Sequence, residues 1–308
     1  MRRHGEGWSP RGRLRPRTGA GGLFFVFVGR RALVAALALL LAAAYGLRWA
    51  GGLASGAGAR AERPVPEHEE VIAPAPGASP PQLPIFYART TRRVAGLTFD
   101  ISWGSKVAPL VLDVLQQHHV HATFFLSGFW ARQHPDLVRR MVAEGHEIAS
   151  HGDEHVDLDR LSREQVRENL LTAQRDIRSV VDVRPRFLRP PNGAYSGMVV
   201  ETAHQLGYET VIWSVDSLDW KRPGPEAIVR RVTSLVFPGA ILLFHASDSA
   251  PDTPVALPAV LATLKARGYR AVPLGELFKE APPARDDPRG RPDYPPNDEP
   301  GPSGSGAG

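Results

Sequence analysis

Short apolar runs alternate with helical patterns along residues 88–280, and this alternation is the feature that most constrains the fold. The apolar runs predict seven strands: Val94–Asp100, Ala122–Leu126, His146–Ser150, Arg186–Arg189, Thr210–Trp213, Ala240–Phe244 and Ala271–Pro273. The periodic segments predict six helices: Val107–Gln117, Pro135–Glu144, Ser162–Val181, Ser196–Leu206, Pro225–Val236 and Thr253–Arg267. Strands and helices in alternation indicate a parallel α/β architecture, either a barrel or a doubly wound sheet.

The positive charge of the chain is concentrated at its N-terminus. The 308 residues carry a net charge of +5, yet residues 1–50 alone hold nine arginines and one acidic residue, a net of +8. The rest of the chain therefore has a net charge of −3. This distribution argues against a basic nucleic-acid-binding face on the folded part.

A hydrophobic segment at residues 23–50 predicts membrane targeting. It contains an uncharged run over residues 32–47, and a basic leader at residues 1–22, which we expect to be disordered, precedes it. We expect a transmembrane signal-anchor, with a cleaved signal peptide as one alternative and a buried core helix as another. The positive-inside rule then places the remainder of the chain outside the cytoplasm.

Composition divides the rest of the chain into three parts. Residues 51–87 are rich in Pro and Gly and predict a linker, residues 88–280 predict one folded domain, and residues 281–308 predict a disordered Pro/Gly-rich tail. The chain has no cysteine, which excludes disulfides and zinc ribbons and leaves metal binding to histidines and carboxylates. Nothing in the sequence indicates an oligomeric state.

Polar residues cluster where the predicted strands end, the edge at which parallel α/β folds place their active sites. The first strand ends in Asp100. The third is followed by His151 and His155, and two histidines four residues apart can bind one metal ion. Each feature alone has an ordinary structural explanation, as a helix cap or a buried histidine. Their shared position is what points to a site.

The later strands end in the same way. The fourth runs into Arg189-Pro190-Pro191-Asn192-Gly193, a turn that can direct backbone N–H groups toward a ligand. Asp216, Asp219 and Trp220 follow the fifth strand, and His245 closes the sixth.

In order and spacing, these five motifs resemble those of the polysaccharide deacetylases of the NodB homology domain, also called carbohydrate esterase family four. Family members carry Thr-Phe-Asp-Asp-Gly, His-Ser/Thr-x-x-His, Arg-x-Pro-Tyr/Phe-Gly, Asp-x-x-Asp-Trp and Leu-x-His. The corresponding segments here are Thr98–Ile101, His151–His155, Arg189–Gly193, Asp216–Trp220 and the strand closed by His245. The resemblance covers residues 90–280 and implies a distorted (β/α) barrel of seven or so parallel strands rather than a doubly wound sheet.

The resemblance also implies a metal and a base. His151 and His155 would hold a divalent ion, zinc or else cobalt or nickel, that binds water and the acetyl oxygen. Asp100 would be the general base that deprotonates this water. Arg189 would pair with Asp100 and keep it ionised.

On the leaving-group side, the resemblance implies that His245 protonates the amine and that Asp219 tunes His245. The N–H of Asn192 would stabilise the oxyanion. Trp220 and Asp216 would contact the substrate in the groove.

Three departures from the family pattern bear on these roles. Ile101 stands where the family has the Asp that supplies its third metal ligand, so the metal is expected to bind weakly. Gly152 replaces a Ser or Thr, and Asn192 replaces an aromatic residue. The sequence Phe-Asp-Ile-Ser-Trp-Gly around Ile101 resembles the branch of the family found in spore-forming bacteria.

We therefore expect a membrane-anchored, extracytoplasmic hydrolase that removes N-acetyl groups from peptidoglycan or a related N-acetylglucosamine polysaccharide. Such an enzyme acts on carbon–nitrogen bonds other than peptide bonds. One alternative is a glycan-binding pseudoenzyme with an impaired metal site, which Ile101 motivates. Another is a metal-independent amidase or esterase that uses Asp100 and His245 alone. The expected partners are a cell-wall glycan and the membrane, and not nucleic acid.

Overall fold

The computed structural model of the protein describes residues 83–290 and Tyr294. The predicted leader, the predicted membrane segment at residues 23–50 and most of the predicted linker and tail lie outside these residues. Among the residues described, no helix has the length and apolar character that a membrane crossing needs.

The described strands form one large parallel sheet and one small antiparallel ribbon. In chain order they are β1 (Tyr87–Ala88), β2 (Val94–Ile101), β3 (Thr123–Leu126), β4 (Glu147–Ser150), β5 (Phe187–Leu188), β6 (Glu209–Thr210), β7 (Val215–Asp216), β8 (Ile241–His245), β9 (Arg270–Val272) and β10 (Pro283–Ala284). The large sheet runs β6-β5-β4-β3-β2-β8-β7, and β9 pairs with the start of β2. This curled parallel sheet confirms the predicted distorted (β/α) barrel.

Helices connect the strands and pack on the outside of the sheet. They are α1 (Val107–His118), α2 (Gly128–Gln133), α3 (Pro135–Ala143), α4 (Arg163–Val180), α5 (Gly197–Gln205), α6 (Pro225–Leu235), α7 (Thr253–Ala266) and α8 (Leu274–Glu280). All six predicted helices are present to within two residues at either end. The predicted capping box of α4 is also formed, because Ser162 Oγ accepts the Gln165 N–H at 3.3 Å while Gln165 Oε1 accepts the Ser162 N–H at 2.9 Å.

One strand prediction needs correction, and one strand beside the site was not predicted. The predicted strand Thr210–Trp213 is reduced to β6, which ends at Thr210, and a bridge from Val211 to Ile85. Strand β7 was not predicted, since a two-residue strand is too short to show a periodic pattern. It matters for the site because it pairs with β8 and places Asp216 at the carboxyl edge of the sheet.

The folded unit extends past the predicted limits of residues 88–280 on both sides. Strand β1 pairs with β10, so chain on both sides of these limits forms one ribbon. Ile85 bridges to Val211, and the Arg289 guanidinium lies 5.3 Å from the centre of the Phe86 ring. Residues 281–290, which composition assigned to the disordered tail, therefore belong to the domain.

The alternation of β2 separates the core from the site. Its odd-numbered residues, which belong to the apolar core shared with the helices, are Ala95, Leu97, Phe99 and Ile101. Thr98 and Asp100 face the opposite way and bond to Arg189 inside the barrel. Ile101 is fully buried in the core, so the side chain at this position points away from the face that carries Asp100.

Candidate active site

A groove of 580 Å³ lies at the carboxyl ends of the strands. Its lining residues are Asp100, Ser102, Trp103, His151, His155, Asn192, Trp213, Asp216, Trp220, Leu243, His245, Ser247 and Ser249. Seven of the nine predicted site residues are in this lining. The other two, Arg189 and Asp219, are fully buried behind it and bond to residues that face the groove.

Asp100 is held as a carboxylate by Arg189. The guanidinium donates from Nη1 to Asp100 Oδ1 at 2.7 Å and to Thr98 Oγ1 at 2.9 Å, and it stacks 4.1 Å from the centre of the Phe125 ring. Burial raises the pKa of Asp100, but the charges of Arg189 and two nearby histidines outweigh burial and hold it below its usual value. The second oxygen, Oδ2, remains available on the groove side.

His151 is oriented by a backbone carbonyl. Its Nδ1 donates to the Arg189 carbonyl oxygen at 2.7 Å, which leaves Nε2 as the atom with a lone pair, 3.7 Å from Asp100 Oδ2. Burial lowers the pKa of His151 to about 4, so the ring is neutral at pH 7. The exposed His155 ring lies 5.4 Å away, centre to centre.

The two imidazoles make only part of a metal site. A neutral His151 whose Nδ1 is bonded to a carbonyl has the arrangement of a metal ligand. A catalytic metal site usually has three protein ligands, however, and no cluster of three His, Asp or Glu side chains suited to a metal occurs in residues 83–290. Ile101, at the position of the family's third ligand, is packed in the core. The donor set therefore does not fit a strong metal site.

His245 and Asp219 form the second charged pair of the groove. The His245 Nδ1 lies 2.7 Å from Asp219 Oδ1, and Oδ2 accepts the His245 backbone N–H at 2.7 Å and the Thr253 hydroxyl at 2.6 Å. Burial lowers the pKa of His245, but the carboxylates of Asp219, Asp100 and Asp216 outweigh burial and raise it to about 9. His245 is thus a cation at pH 7.

Asp216 lies in the groove beside this pair. Its Oδ1 accepts the backbone N–H of Leu218 at 2.8 Å, which fixes the carboxylate at the end of β7. Burial raises the pKa of Asp216 and outweighs that hydrogen bond and the charge of His245. The prediction that it contacts substrate is consistent with this position.

The turn after β5 directs Asn192 into the groove. Asn192 has a φ of 57°, in the left-handed region that Asn tolerates better than most residues, and its Nδ2 donates to Asp157 Oδ1 at 2.8 Å. Its backbone N–H donates to no acceptor in the part of the chain that the structure describes. At the next position a Cβ atom would come within 2.8 Å of the Trp213 ring, which explains Gly193.

Sequence reasoning missed seven residues of the site. Six of them line the groove, and Thr253 lies behind it: Ser102, Trp103, Trp213, Leu243, Ser247, Ser249 and Thr253. Trp103 follows Asp100 by three residues, so its position after a strand end was a usable signal. Thr253 is 34 residues from the Asp219 that it contacts, and no local pattern indicates that contact.

The chain is similar to known polysaccharide deacetylases. The family model described as polysaccharide deacetylase matches residues 87–211. The chitooligosaccharide deacetylase of Bradyrhizobium sp. (strain ANU 289) is 41% identical over 194 residues, which cover 59% of this chain and 89% of that protein. The peptidoglycan-N-acetylglucosamine deacetylase of Bacillus cereus is 36% identical over 190 residues, with 61% and 89% covered.

Two further relatives, YlxY and wild-type BA3943, are not described as active enzymes. The uncharacterized protein YlxY of Bacillus subtilis (strain 168) is 32% identical over 197 residues, 64% of this chain but only 61% of YlxY. The solved structure of BA3943 from Bacillus anthracis, described as a pseudoenzyme of carbohydrate esterase family four, matches with a TM-score of 0.61 and 32% identity over 65% of this chain and 70% of that one. A BA3943 mutant described as having restored enzymatic activity matches with a TM-score of 0.61 and 34% identity over 65% and 72%.

Fold, motifs and relatives agree: the chain belongs to the polysaccharide deacetylases of carbohydrate esterase family four, the NodB homology family.

Proposed function

We propose that this protein is a hydrolase that removes N-acetyl groups from peptidoglycan or a related N-acetylglucosamine polysaccharide. The observation that carries the proposal is geometric: Asp100, bonded to Arg189, and His245, bonded to Asp219, line the same groove. The pKa of Asp100 is lowered and that of His245 is raised to about 9, which favours a carboxylate beside a protonated imidazole. Deacetylation of an amide needs both, because a proton must leave the attacking water and another must reach the departing nitrogen.

In the proposed reaction, Asp100 Oδ2 accepts a proton from water while the water oxygen forms a bond to the acetyl carbon. Arg189 holds Oδ1, so Oδ2 is the oxygen that faces the substrate. We assign to the backbone N–H of Asn192, a residue that lines the groove, the hydrogen bond to the oxyanion that develops on the acetyl oxygen.

His245 completes the reaction as the general acid. Its Nδ1–H is held by Asp219, so Nε2–H is the proton that transfers to the leaving nitrogen. The C–N bond then breaks, which releases acetate and a free amine on the sugar. Water supplies the oxygen added to the acetyl group. Asp100 then releases its proton to solvent and His245 takes one up, which restores both groups, and no further reactant is required.

Enzymes of this family generally depend on a divalent metal. We propose zinc, or else cobalt or nickel, as an ion held weakly by His151 and His155. Because the donor set is incomplete, no step above is assigned to it. Metal analysis of the purified chain, with and without a chelator, tests this part of the proposal.

We further propose that the domain acts outside the cytoplasm, anchored by residues 23–50 or secreted after cleavage of that segment. The support is the charge asymmetry around this hydrophobic segment and the cell-wall substrates of relatives such as the Bacillus cereus enzyme. Protease treatment of intact cells tests it: an extracytoplasmic domain is digested without lysis, whereas a cytoplasmic one survives.

The test of the activity itself is acetate release. The purified full chain is incubated with N-acetylglucosamine oligomers and, separately, with peptidoglycan, each with added zinc, cobalt or nickel and each with EDTA. We expect acetate from at least one of the two glycans. No acetate from either under any condition contradicts the proposal.

A second candidate function is glycan binding without turnover. The incomplete donor set, the core position of Ile101 and the similarity to the pseudoenzyme BA3943 favour it. In that case the chain binds oligomers in calorimetry but releases no acetate, and His151→Ala leaves binding unchanged.

A further inference from the structure

Trp103 is the most exposed of the three tryptophans that line the groove with Asp100 and His245. Its exposed fraction is 54%, against 47% for Trp220, while Trp213 is partly buried. An exposed indole keeps a large apolar face in water, and such faces in a groove commonly bind ligands.

The sheet order places Trp103 and Trp220 on opposite sides of His245. Trp103 follows β2, Trp220 follows β7, and β8, which ends in His245, lies between these two strands. Ser247 and Ser249, which follow β8, also line the groove and add hydroxyl groups to it. The segments that carry the two indoles therefore lie on either side of the strand that ends in His245, the group that we assign to the leaving nitrogen.

The loop that carries Trp103 is tied to the protein at several points. The Trp130 indole N–H donates to the Gly104 carbonyl oxygen at 2.7 Å, and the Asp248 backbone N–H donates to the Trp103 carbonyl oxygen at 3.4 Å. The Asp248 carboxylate accepts the Lys106 backbone N–H at 2.8 Å. Because the loop is already held in place, little conformational entropy is lost when a ligand binds to its indole.

We propose that Trp103 forms a second sugar-binding subsite, which takes the pyranose ring adjacent to the N-acetylglucosamine unit that lies between His245 and Trp220. The C–H face of a pyranose packs against an indole much as an apolar side chain does. This inference rests on the proposed function and deepens it, because it assigns to Trp103 the binding of a second sugar of the glycan chain.

The test measures binding, so that it does not depend on turnover. Isothermal titration calorimetry with the full chain compares the N-acetylglucosamine pentamer with the dimer, for the native protein and for Trp103→Ala and Trp103→Phe. Phe129→Ala is the matched control, since Phe129 is also an exposed aromatic residue, at 42%, and does not line the groove. Circular dichroism of each variant verifies its folding.

We expect Trp103→Ala to weaken pentamer binding roughly tenfold. The ratio of pentamer affinity to dimer affinity should therefore be smaller in this variant than in the native protein. Trp103→Phe should retain most of the affinity, and Phe129→Ala all of it. Native-like pentamer binding by a folded Trp103→Ala overturns the subsite, as does a native chain that binds pentamer no better than dimer.

Acetate release, measured on the same samples, separates this inference from the proposed function. If the native chain releases no acetate but Trp103→Ala still loses pentamer affinity, the subsite is supported and the hydrolase proposal fails. If the native chain releases acetate and Trp103→Ala binds the pentamer as tightly as the native chain does, the subsite proposal fails and the hydrolase proposal stands.

Discussion

Both carboxylate oxygens of Asp219 contact His245: Oδ1 lies 2.7 Å from the ring Nδ1, and Oδ2 accepts the backbone N–H of His245 at 2.7 Å. This double contact fixes the position of the imidazole as well as its charge. The pKa of His245 is raised to about 9 from its ordinary 6.5, and the assigned acid role depends on that rise.

The first prediction concerns pH dependence. His245 must be protonated and Asp100 ionised, so activity should rise with pH through the low pKa of Asp100 and fall as pH passes about 9. Asp219→Asn removes the carboxylate charge that raises the pKa of His245, so the alkaline limb should move from about 9 toward 6.5. The kcat/KM profile against pH measures both limbs. An alkaline limb that stays at its native position in Asp219→Asn contradicts the assignment.

The second prediction concerns the buried pair of Asp100 and Arg189. Arg189→Met leaves the Asp100 carboxylate buried without its partner, so the free energy of unfolding should fall by about 3–5 kcal/mol. Adding Asp100→Asn to Arg189→Met should recover part of that loss, because the uncompensated charge is gone. Urea unfolding of Arg189→Met, Asp100→Asn and the double variant gives a double-mutant cycle. If the changes in the free energy of unfolding of the two single variants add up to that of the double variant, the pair is not coupled.

The third prediction concerns Ile101. Because this side chain lies in the apolar core and not on the face of Asp100, Ile101→Asp should lower the free energy of unfolding by roughly 3 kcal/mol or more. Ile101→Val, which only shortens the side chain, should cost about 1 kcal/mol. A stable Ile101→Asp variant that binds zinc more tightly than the native chain would mean that residue 101 turns into the groove.

The fourth prediction concerns metal affinity. With two imidazoles as the protein ligands, zinc titrated into the chain should bind weakly and be removed by EDTA. Alanine at either His151 or His155 should abolish that binding, while His204→Ala, a change at an exposed histidine on α5, should not affect it. If one zinc ion per chain stays bound after EDTA treatment, this prediction is contradicted.

The strand-end motifs were predictable because parallel strands bring their carboxyl ends to one edge of a sheet. Asp100, His151, Arg189 and His245 each close or follow a strand, and they meet in the structure as that rule requires. The inward direction of Asp100 also implies that its neighbour Ile101 points outward, since side chains alternate along a strand.

Other features depend on contacts that no local pattern encodes. The contact from Thr253 to Asp219 joins the first residue of α7 to the segment that follows β7, and β1 and β10 pair across nearly the whole domain. A two-residue strand such as β7 is defined by its pairing with β8, and residues distant in sequence supply that pairing. These parts of the site required the folded structure.

The most direct test of the central claim is acetate release from the N-acetylglucosamine pentamer by the native chain, His245→Ala and the control His204→Ala. We predict release by the native chain and by His204→Ala, and a rate at least roughly 100-fold lower for a folded His245→Ala, because the general acid is lost. Equal release by the native chain and His245→Ala, or none by the native chain, would contradict the account.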